Sequence, residues 1–332
     1  MNSSNVCILL ATYNGERYLR EQVNSIQRQT VEDWTLLVRD DASSDGTCEL
    51  LRELAESDRR IVLIDTEAKG PGGAVQNFGR LMQEGLESGG QIFFFCDQDD
   101  VWEPEKLQRQ LQAFPADGRE PEPLLVHSDL SVVTGDLQPI APSLCRYMAL
   151  DVYAADLCNA LLTRNFVTGC AMACNRRLLE RALPLPGQAI MHDWWLALVA
   201  AVSGSIVFID RPLLRYRQHS SNAVGAVGFW RLLSPAGGWW KRWREGNREF
   251  RSTFRQCAAL GLQMQQFPES CAGNTLKAVN TYTTLLRLPW WRRLATAASM
   301  GLRRGHFVLR VTYYIRLLTV REPAVKAGPG AG

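Results

Sequence analysis

The sequence has no apolar segment long enough to anchor a protein in a membrane. Its longest apolar stretch, residues 196–209, spans 14 residues and is interrupted by Ser203, Gly204 and Ser205, whereas a membrane-spanning helix needs about 20. The first residues also lack a basic segment followed by an apolar one, so we expect no signal peptide. Both absences predict a cytoplasmic protein.

The sequence also lacks cysteine motifs of the Cys-x-x-Cys type. The nine cysteines include no Cys-x-x-Cys pair, which is the usage expected of reduced thiols in the cytoplasm. Cys170 and Cys174 have no histidine or cysteine partner at metal-binding spacing, so we interpret them as small buried apolar residues. The glycine-rich loop 70–73 does not complete a dinucleotide-binding motif, because Val75 stands where the third glycine would be.

Acidic residues are scarce in the last third of the chain. Residues 229–332 hold 17 Lys/Arg and 4 Asp/Glu, a net of +13, whereas residues 1–228 hold 20 and 30, a net of −10. A shift of this size marks a domain boundary. We therefore predict a catalytic domain over 1–228 (nucleotide-sugar half 1–115, acceptor half 116–228), a basic, tryptophan-rich helical extension over 229–320, and a disordered tail over 321–332.

Apolar strands alternate with helices through the first 115 residues. We predict strands over residues 6–12, 34–39, 61–65 and 92–96, with helices over 15–28, 47–55 and from the glycine loop towards Gly85. Further along the chain we expect helices over 103–114, 176–182 and 193–203, and strands over 124–127, 166–173 and 205–209. This alternation is typical of a doubly wound, mostly parallel α/β sheet.

Two acidic clusters follow predicted strands. Asp40 and Asp41 come after the second strand, and Asp97, Asp99 and Asp100 come after the fourth. Because ligands bind beyond the carboxyl ends of the strands in such sheets, the two clusters should share one edge. Three carboxylates within four residues repel one another unless a cation offsets them, and oxygen ligands suit Mg²⁺ or Mn²⁺. A solvated turn before the next helix is the alternative interpretation.

Seven short motifs, in order, resemble those of family 2 glycosyltransferases with the GT-A fold. They are Ala11-Thr12-Tyr13-Asn14, the run 40–47, the run 97–102 and its continuation to 107, the run 169–175, His192-Asp193-Trp194-Trp195 and the run 216–222. The later motifs are similar to the bacterial rhamnosyltransferase-like branch of that family. The resemblance covers about residues 4–228 and implies an α/β GT-A domain with a helical C-terminal extension.

The resemblance implies a donor site. Thr12, Tyr13 and Asn14, with Ala11 beside them, would line the nucleotide pocket. Asp41 would accept a hydrogen bond from the N3–H of a uracil or thymine ring, since an ionised carboxylate only accepts; a turn-forming role is its alternative. Asn77 is expected to reach into the pocket from the helix that follows the glycine loop.

It also implies a cation site and a transfer site. Asp100 would ligate the metal, Asp99 or Asp97 would contact the ribose or a metal-bound water, and His219 would join them. His219 alternates with Arg215 and Arg217, a face that would suit a diphosphate. Further candidates are Asp193 as general base or as a helix cap, Trp194 and Trp195 as a sugar-stacking wall or core, and Gly169 beside the acceptor.

The predicted function is an inverting, metal-dependent hexosyltransferase-type reaction from a dTDP- or UDP-sugar to a glycan or lipid-linked acceptor. By resemblance the sugar is L-rhamnose and the product a bacterial surface polysaccharide such as O-antigen or lipopolysaccharide. Glucose, galactose or an N-acetylhexosamine is the alternative donor. A non-catalytic scaffold of a polysaccharide assembly complex is the rival of a different class.

The basic extension has its own candidate partner. From Trp239, aromatic residues recur at helical spacing among basic ones: Trp240, Trp243, Phe250 and Phe254. Amphipathic basic helices with tryptophan settle at anionic membrane surfaces, so residues 229–320 predict a peripheral membrane protein on the inner face of the cell membrane. A helical cap on the catalytic domain is the alternative. Nucleic-acid binding is disfavoured, because no binding motif accompanies the charge.

Overall fold

The computed structural model describes residues 5–64, 72–115, 122–219, 239–270, 273–302 and 307–320. Its first half alternates strands with helices, as the sequence predicts. The strands are β1 (Val6–Thr12), β2 (Thr35–Asp40), β3 (Ile61–Leu63) and β4 (Ile92–Cys96), and the helices between them are α1 (Glu16–Gln27), α2 (Thr47–Ser57) and α3 (Ala74–Glu87).

The second half of the catalytic region adds five strands and five helices within the described residues. The strands are β5 (Val101–Trp102), β6 (Leu124–Thr134), β7 (Pro139–Ala141), β8 (Met172–Asn175) and β9 (Ser205–Gln218). The helices are α4 (Lys106–Leu111), α5 (Leu144–Tyr147), α6 (Leu157–Thr163), α7 (Arg176–Ala182) and α8 (His192–Ser203).

These strands form one sheet in the order β3-β2-β1-β4-β8-β6-β9-β5, with β7 paired to β6. The first four strands are parallel, as are β6 and β9. Strand β8 runs antiparallel to both β4 and β6, and β5 runs antiparallel to β9. The doubly wound, mostly parallel sheet is confirmed, with antiparallel strands in its second half.

The sheet is buried on both faces. Leu9, Phe93 and Phe95 belong to one hydrophobic cluster, whereas Ile8 and Phe94 belong to the other. Successive side chains of a strand point to opposite faces, so a strand covered by helices on both sides must be apolar throughout. This is why β4 contains no polar residue before the acidic run.

The predicted boundaries differ from the structure mainly in the second half. The expected strand over 166–173 is wrong, because Gly169–Ala171 forms a 3-10 helix and β8 begins at Met172. Strands β6 and β9 extend well beyond the predicted ends. They pair in parallel with register shifts around Asp129, and the polar residues there break the apolar pattern that sequence reasoning follows.

Within the described part of the chain beyond residue 219, four α-helices follow the sheet: α9 (Trp239–Met264), α10 (Gly273–Thr284), α11 (Trp290–Ser299) and α12 (Phe307–Thr319). Phe250 and Phe254 of α9 are buried in the same hydrophobic cluster as the core of α8. Helix α9 therefore caps the catalytic region. No helix in the described ranges is both long and apolar enough to cross a membrane. The predicted boundary near residue 228 and the predicted tail 321–332 lie outside the described residues.

Candidate active site

The two acidic clusters lie at one edge of the sheet. Strand β1 pairs with β2 on one side and β4 on the other, which brings Asp40 opposite Thr12 and Cys96 opposite Leu10. The Thr12 hydroxyl donates to Asp40 Oδ1 at 2.8 Å. The acidic run that follows Cys96 therefore stands beside the β1–α1 loop.

That loop is tied to the acidic run through Gln98. The Tyr13 amide donates to Gln98 Oε1 at 2.8 Å, and Gln98 Nε2 donates back to the Tyr13 carbonyl at 2.9 Å. Asn14 adopts a φ of +49°, a left-handed conformation that asparagine tolerates better than most residues. Thr12 is buried and Ala11 is half-buried, whereas Tyr13 and Asn14 are exposed. The last two are thus the members of the predicted donor set that present side chains to solvent.

Asp41 lies beneath Gly72 and Gly73, the described end of the glycine loop. Its Oδ1 accepts from the Gly72 amide at 3.0 Å and its Oδ2 accepts from the Gly73 amide at 2.8 Å, and its side chain is almost fully buried. This carboxylate anchors the loop at the start of α3. Its predicted contact with a nucleotide base stays a prediction.

Asn77 does not reach a ligand pocket, so its predicted donor contact is wrong. The side chain is buried, and its Nδ2 donates to the Arg39 carbonyl at 3.1 Å and to the Thr12 carbonyl at 3.4 Å. Its Oδ1 accepts from Arg39 Nη1 at 3.2 Å. Asn77 instead joins the ends of β1 and β2 under the site.

The three carboxylates of the acidic run differ in exposure. Asp97 and Asp99 are partly exposed, whereas Asp100 is fully buried. Asp100 Oδ1 accepts from the Arg217 amide at 3.1 Å, and its Oδ2 is a buried oxygen without a hydrogen-bond partner. Asp99 Oδ2 lies 2.8 Å from His219 Nε2. Solvent therefore reaches Asp97 and Asp99 but not Asp100, which was expected to be the main metal ligand.

The acidic run carries negative charge that the protein compensates incompletely. Burial, with the charges of Asp99 and Asp193, raises the pKa of Asp97 to about 7. Burial and its acidic neighbours also raise the pKa of Asp100 well above its usual value. One oxygen each of Asp97 and Asp100 and the Cys170 sulfur lie within 4.8 Å of one another. Two clustered carboxylates, one of them with an orphaned oxygen, and the Asp99–His219 pair in the same run fit a divalent cation such as Mg²⁺ or Mn²⁺.

Asp193 lies in the first turn of α8. Its Oδ2 accepts from the Gly169 amide at 3.1 Å, and its Oδ1 accepts from Asn165 Nδ2 at 3.1 Å. The helix-cap interpretation is wrong, because Met191 holds the N-cap position and makes no side-chain cap bond. Burial raises the pKa of Asp193 to about 6, although the amides of Trp194 and Gly169 and the Asn165 side chain favour its charged form.

Gly169 and Asn165 both orient Asp193. A Cβ atom at Gly169 would stand only 3.0 Å from His192 Nε2, so this backbone approaches the start of α8 more closely than a larger residue would allow. Gly169 thus acts through Asp193, and its predicted acceptor contact stays a prediction. Sequence reasoning missed Asn165. Its only distinguishing feature in the sequence is that an asparagine stands directly before the apolar residues predicted as a strand.

The predicted sugar-stacking wall is wrong for both tryptophans. Trp194 is 5% exposed and Trp195 is 0% exposed. Their indole N–H groups donate to the Leu161 carbonyl at 2.8 Å and the Ala182 carbonyl at 2.9 Å. Ten of the twelve residues of α8 are buried, so both rings pack in the core.

The predicted diphosphate face of β9 is also wrong for its two arginines. Arg215 Nε donates to Glu103 Oε1 at 2.9 Å, and Arg217 Nη2 donates to Glu21 Oε2 at 2.6 Å. Of the three nitrogen-bearing side chains on this face, His219 alone lies against an acidic-run carboxylate in the described structure.

Comparison with known proteins identifies similar glycosyltransferases. Residues 7–120 match the model of glycosyl transferase family 2. The chain is 28% identical over 225 residues to the dTDP-rhamnosyl transferase RfbG of Shigella flexneri, covering 65% of this chain and 74% of the relative. It is 36% identical over 107 residues to the UDP-Glc:alpha-D-GlcNAc-diphosphoundecaprenol beta-1,3-glucosyltransferase WfgD of Escherichia coli, covering 32% of this chain and 39% of the relative.

Among solved structures, residues 1–349 of TarS from S. aureus superpose with a TM-score of 0.53 at 14% identity, covering 95% of this chain and 81% of that one. At this identity the likeness shows the fold alone, which is GT-A. The match with the full TarS structure has a TM-score of 0.52 and spans 43% of that longer chain.

Proposed function

We propose that the chain is a member of glycosyl transferase family 2, in its bacterial rhamnosyltransferase-like branch, and that it transfers a sugar, with inversion, from a nucleoside diphosphate to an acceptor hydroxyl. One observation carries the proposal. A partly exposed carboxylate, Asp193, is held by Gly169 and Asn165 close enough to the acidic run to raise the pKa of Asp97. The proposed base thus lies near the proposed cation site.

Asp193 is the general base of the proposed reaction. The base must take the proton of the acceptor hydroxyl as its oxygen attacks the anomeric carbon. A pKa of about 6 leaves the carboxylate ionised at neutral pH while making it more basic than an exposed aspartate. Two hydrogen bonds from the Gly169 amide and the Asn165 side chain limit its rotation. The group is therefore both charged and oriented before the acceptor arrives.

Asp97, Asp99 and His219 form the solvent-facing side of the proposed cation site, with Asp100 beneath them. A bound Mg²⁺ or Mn²⁺ would stabilise the negative charge that grows on the leaving diphosphate. Among the solved structures similar to this fold, GalNAc-T7 holds UDP, GalNAc and Mn²⁺, with a TM-score of 0.50 at 13% identity and coverage of 74% of this chain and 50% of that one. We therefore propose a divalent cation as cofactor.

The proposed donor is based on the geometry of the loops at the sheet edge and on the donors of related enzymes. Tyr13 presents an exposed ring beside the acidic run, and Asp41 underlies the glycine loop at the same edge. We propose dTDP-L-rhamnose as donor, in line with the Shigella relative. A UDP-hexose is the second candidate, because the glucosyltransferase of Escherichia coli aligns at 36% identity.

A panel of nucleotide-sugars tests this function. The purified chain is incubated with each donor, Mn²⁺ and lipid-linked or glycan acceptors, and release of nucleoside diphosphate is followed. We expect release from one donor class, dependent on the cation and reduced to background by Asp193→Asn. No release from any donor with any acceptor would instead support the scaffold hypothesis.

The exposed surface of helices α11 and α12 is consistent with a lipid-linked acceptor. Phe307, Val311, Ile315 and Leu318 are all exposed, and their spacing of four, four and three residues places them on one face of α12. At one end of this face, Arg293 Nη1 donates to the Leu317 and Val320 carbonyls. This contact brings the start of α11, with the exposed Trp290 and Trp291, next to the end of α12. We call these six side chains the apolar face.

The charge around the apolar face has one sign. Residues 270–321 contain nine Lys/Arg and no Asp/Glu. An apolar face in a cationic surrounding is what an anionic bilayer surface binds. We therefore propose that α11 and α12 hold the enzyme at the inner face of the cell membrane. The proposed membrane-binding part is therefore shorter than the predicted segment 229–320. Phe250 and Phe254 of α9 are buried in the hydrophobic core and do not face a membrane.

A further inference from the structure

Arg217 makes a dense set of contacts beneath the acidic run. Its side chain is 2% exposed. Its Nε donates to the Asp99 carbonyl at 2.8 Å, its Nη2 donates to Glu21 Oε2 at 2.6 Å, and its Nη1 donates to the Gly135 carbonyl. Its own amide donates to Asp100 Oδ1 at 3.1 Å. One residue thus joins α1, the acidic run and the turn after β6.

A ring contact extends this network to His219. The guanidinium carbon of Arg217 lies 4.5 Å from the centre of the Tyr18 ring. The Tyr18 ring in turn lies 4.9 Å from the ring of His219, whose Nε2 is 2.8 Å from Asp99 Oδ2. Arg217 therefore supports both the backbone of Asp99 and, through Tyr18, the imidazole that faces it.

The chemistry of this position favours arginine specifically. A guanidinium is planar and carries five donors that point in fixed, different directions. Here three of its nitrogens reach three separate acceptors on three chain segments. A lysine ammonium is a single point charge, so it could not hold Asp99, Gly135 and Glu21 at once.

We propose that Arg217 is a positioning residue of the cation site, holding Asp99 and His219 in the arrangement that binds the metal. The inference rests on the proposed function, because it takes these two side chains as cation ligands. It assigns Arg217 a role other than the diphosphate contact expected from the sequence. Residues that orient metal ligands without touching the ion change metal affinity when they are replaced.

Mn²⁺ binding to the whole chain, measured by electron paramagnetic resonance or calorimetry with the nucleoside diphosphate present, tests the role. We expect Arg217→Lys to raise the Kd for Mn²⁺ on the order of tenfold or more. Arg215→Lys is the matched control, since Arg215 lies two residues away on β9 and pairs with Glu103 at the surface. We expect this control to leave the Kd unchanged.

A second variant guards against loss of folding. Glu21→Gln removes the charged partner of Arg217 at a half-exposed position and leaves the arginine in place. We expect a smaller rise in the Kd for Mn²⁺, with an unchanged circular dichroism spectrum. If Arg217→Lys does not fold, Glu21→Gln decides the question, and an unchanged Kd overturns the inference.

The outcomes separate the two proposals. If the wild-type chain binds Mn²⁺ and folded Arg217→Lys binds it equally well, the positioning role is overturned and the proposed function stands. If the wild-type chain binds no divalent cation, the cation site of the proposed function fails, and the role of Arg217 fails with it.

Discussion

Three Trp-Trp pairs stand in the first turn of a helix in this protein. The structure describes the side-chain environments of two of these pairs, and they are opposite. Trp194 and Trp195 in α8 are 5% and 0% exposed, whereas Trp290 and Trp291 in α11 are 62% and 54% exposed. Helix α8 packs beneath α6, α7 and α9, so nearly all of its faces are covered. Helix α11 packs mainly on α12 and one short 3-10 helix. The dipeptide is the same in both helices, and its exposure differs because more elements cover α8 than α11.

The two Trp-Trp pairs also differ in what they contribute to the protein. The buried pair fixes the first turn of α8 through hydrogen bonds to the Leu161 and Ala182 carbonyls. That turn carries Asp193, so core packing sets the position of the proposed base. Among the residues that the structure describes, the exposed pair makes no comparable contact with the core, and it continues the apolar face of α12. Helix α8 therefore contributes to stability and carries the proposed base, whereas α11 contributes to the proposed membrane-binding surface.

The largest expected effect tests whether α8 carries the chemistry. Asp193→Asn replaces the carboxylate by an amide that cannot take the acceptor proton, so we predict that transfer falls on the order of a thousandfold. Donor binding, measured by calorimetry, should persist. Asp156→Asn is the control, because Asp156 caps α6 and its side-chain hydrogen bonds go to Asn159 of the same helix, and asparagine caps equally well. Normal turnover of Asp193→Asn would remove the base from the mechanism.

The second prediction contrasts the two pairs directly through stability. Trp195→Ala should lower the free energy of unfolding by about 3–5 kcal/mol, since it leaves a cavity in the core. Trp291→Ala should change it by less than about 1 kcal/mol, because most of that ring is already in water. Denaturant unfolding of both variants gives the comparison. Equal losses in the two variants would mean that the exposed pair is also part of the core.

The third prediction concerns the partner of α11. Replacing both Trp290 and Trp291 by serine should weaken binding to anionic liposomes on the order of tenfold at low salt, as exposed aromatic area is lost. Ile140→Ser is the control, because Ile140 is an exposed apolar residue outside the extension. Sedimentation at low and high salt measures both. A wild-type protein that stays in the supernatant at low salt contradicts the membrane proposal.

The smallest expected effect is a pH dependence that comes from α8. Because the pKa of Asp193 is raised to about 6, the carboxylate gains a proton as the pH falls through that value. A protonated base cannot accept the acceptor proton, so the transfer rate should fall to about half near pH 6 and continue to fall below it. Initial rates between pH 5.5 and 8 at saturating donor measure this. A flat profile would contradict the assignment.

Sequence reasoning succeeded where a pattern is local. The bounds of β1, β4 and α7 agree with the structure, because an apolar strand or a short amphipathic helix is encoded by adjacent residues. The shared edge of the two acidic clusters also followed, since parallel strands place their carboxyl ends together. The errors concern long-range contacts: Asn77 ties two strands, and Arg215 and Arg217 pair with Glu103 and Glu21.

The sequence by itself determined the α/β alternation, the order of the motifs and the acidic residues at the strand ends. These depend on residue type and spacing, which the chain displays directly. Only the tertiary structure decided that Asp100 is buried while Asp97 and Asp99 meet solvent, and that the Trp-Trp pair of α8 is core while that of α11 is surface. Burial depends on which distant segments cover a residue, and no local pattern records that.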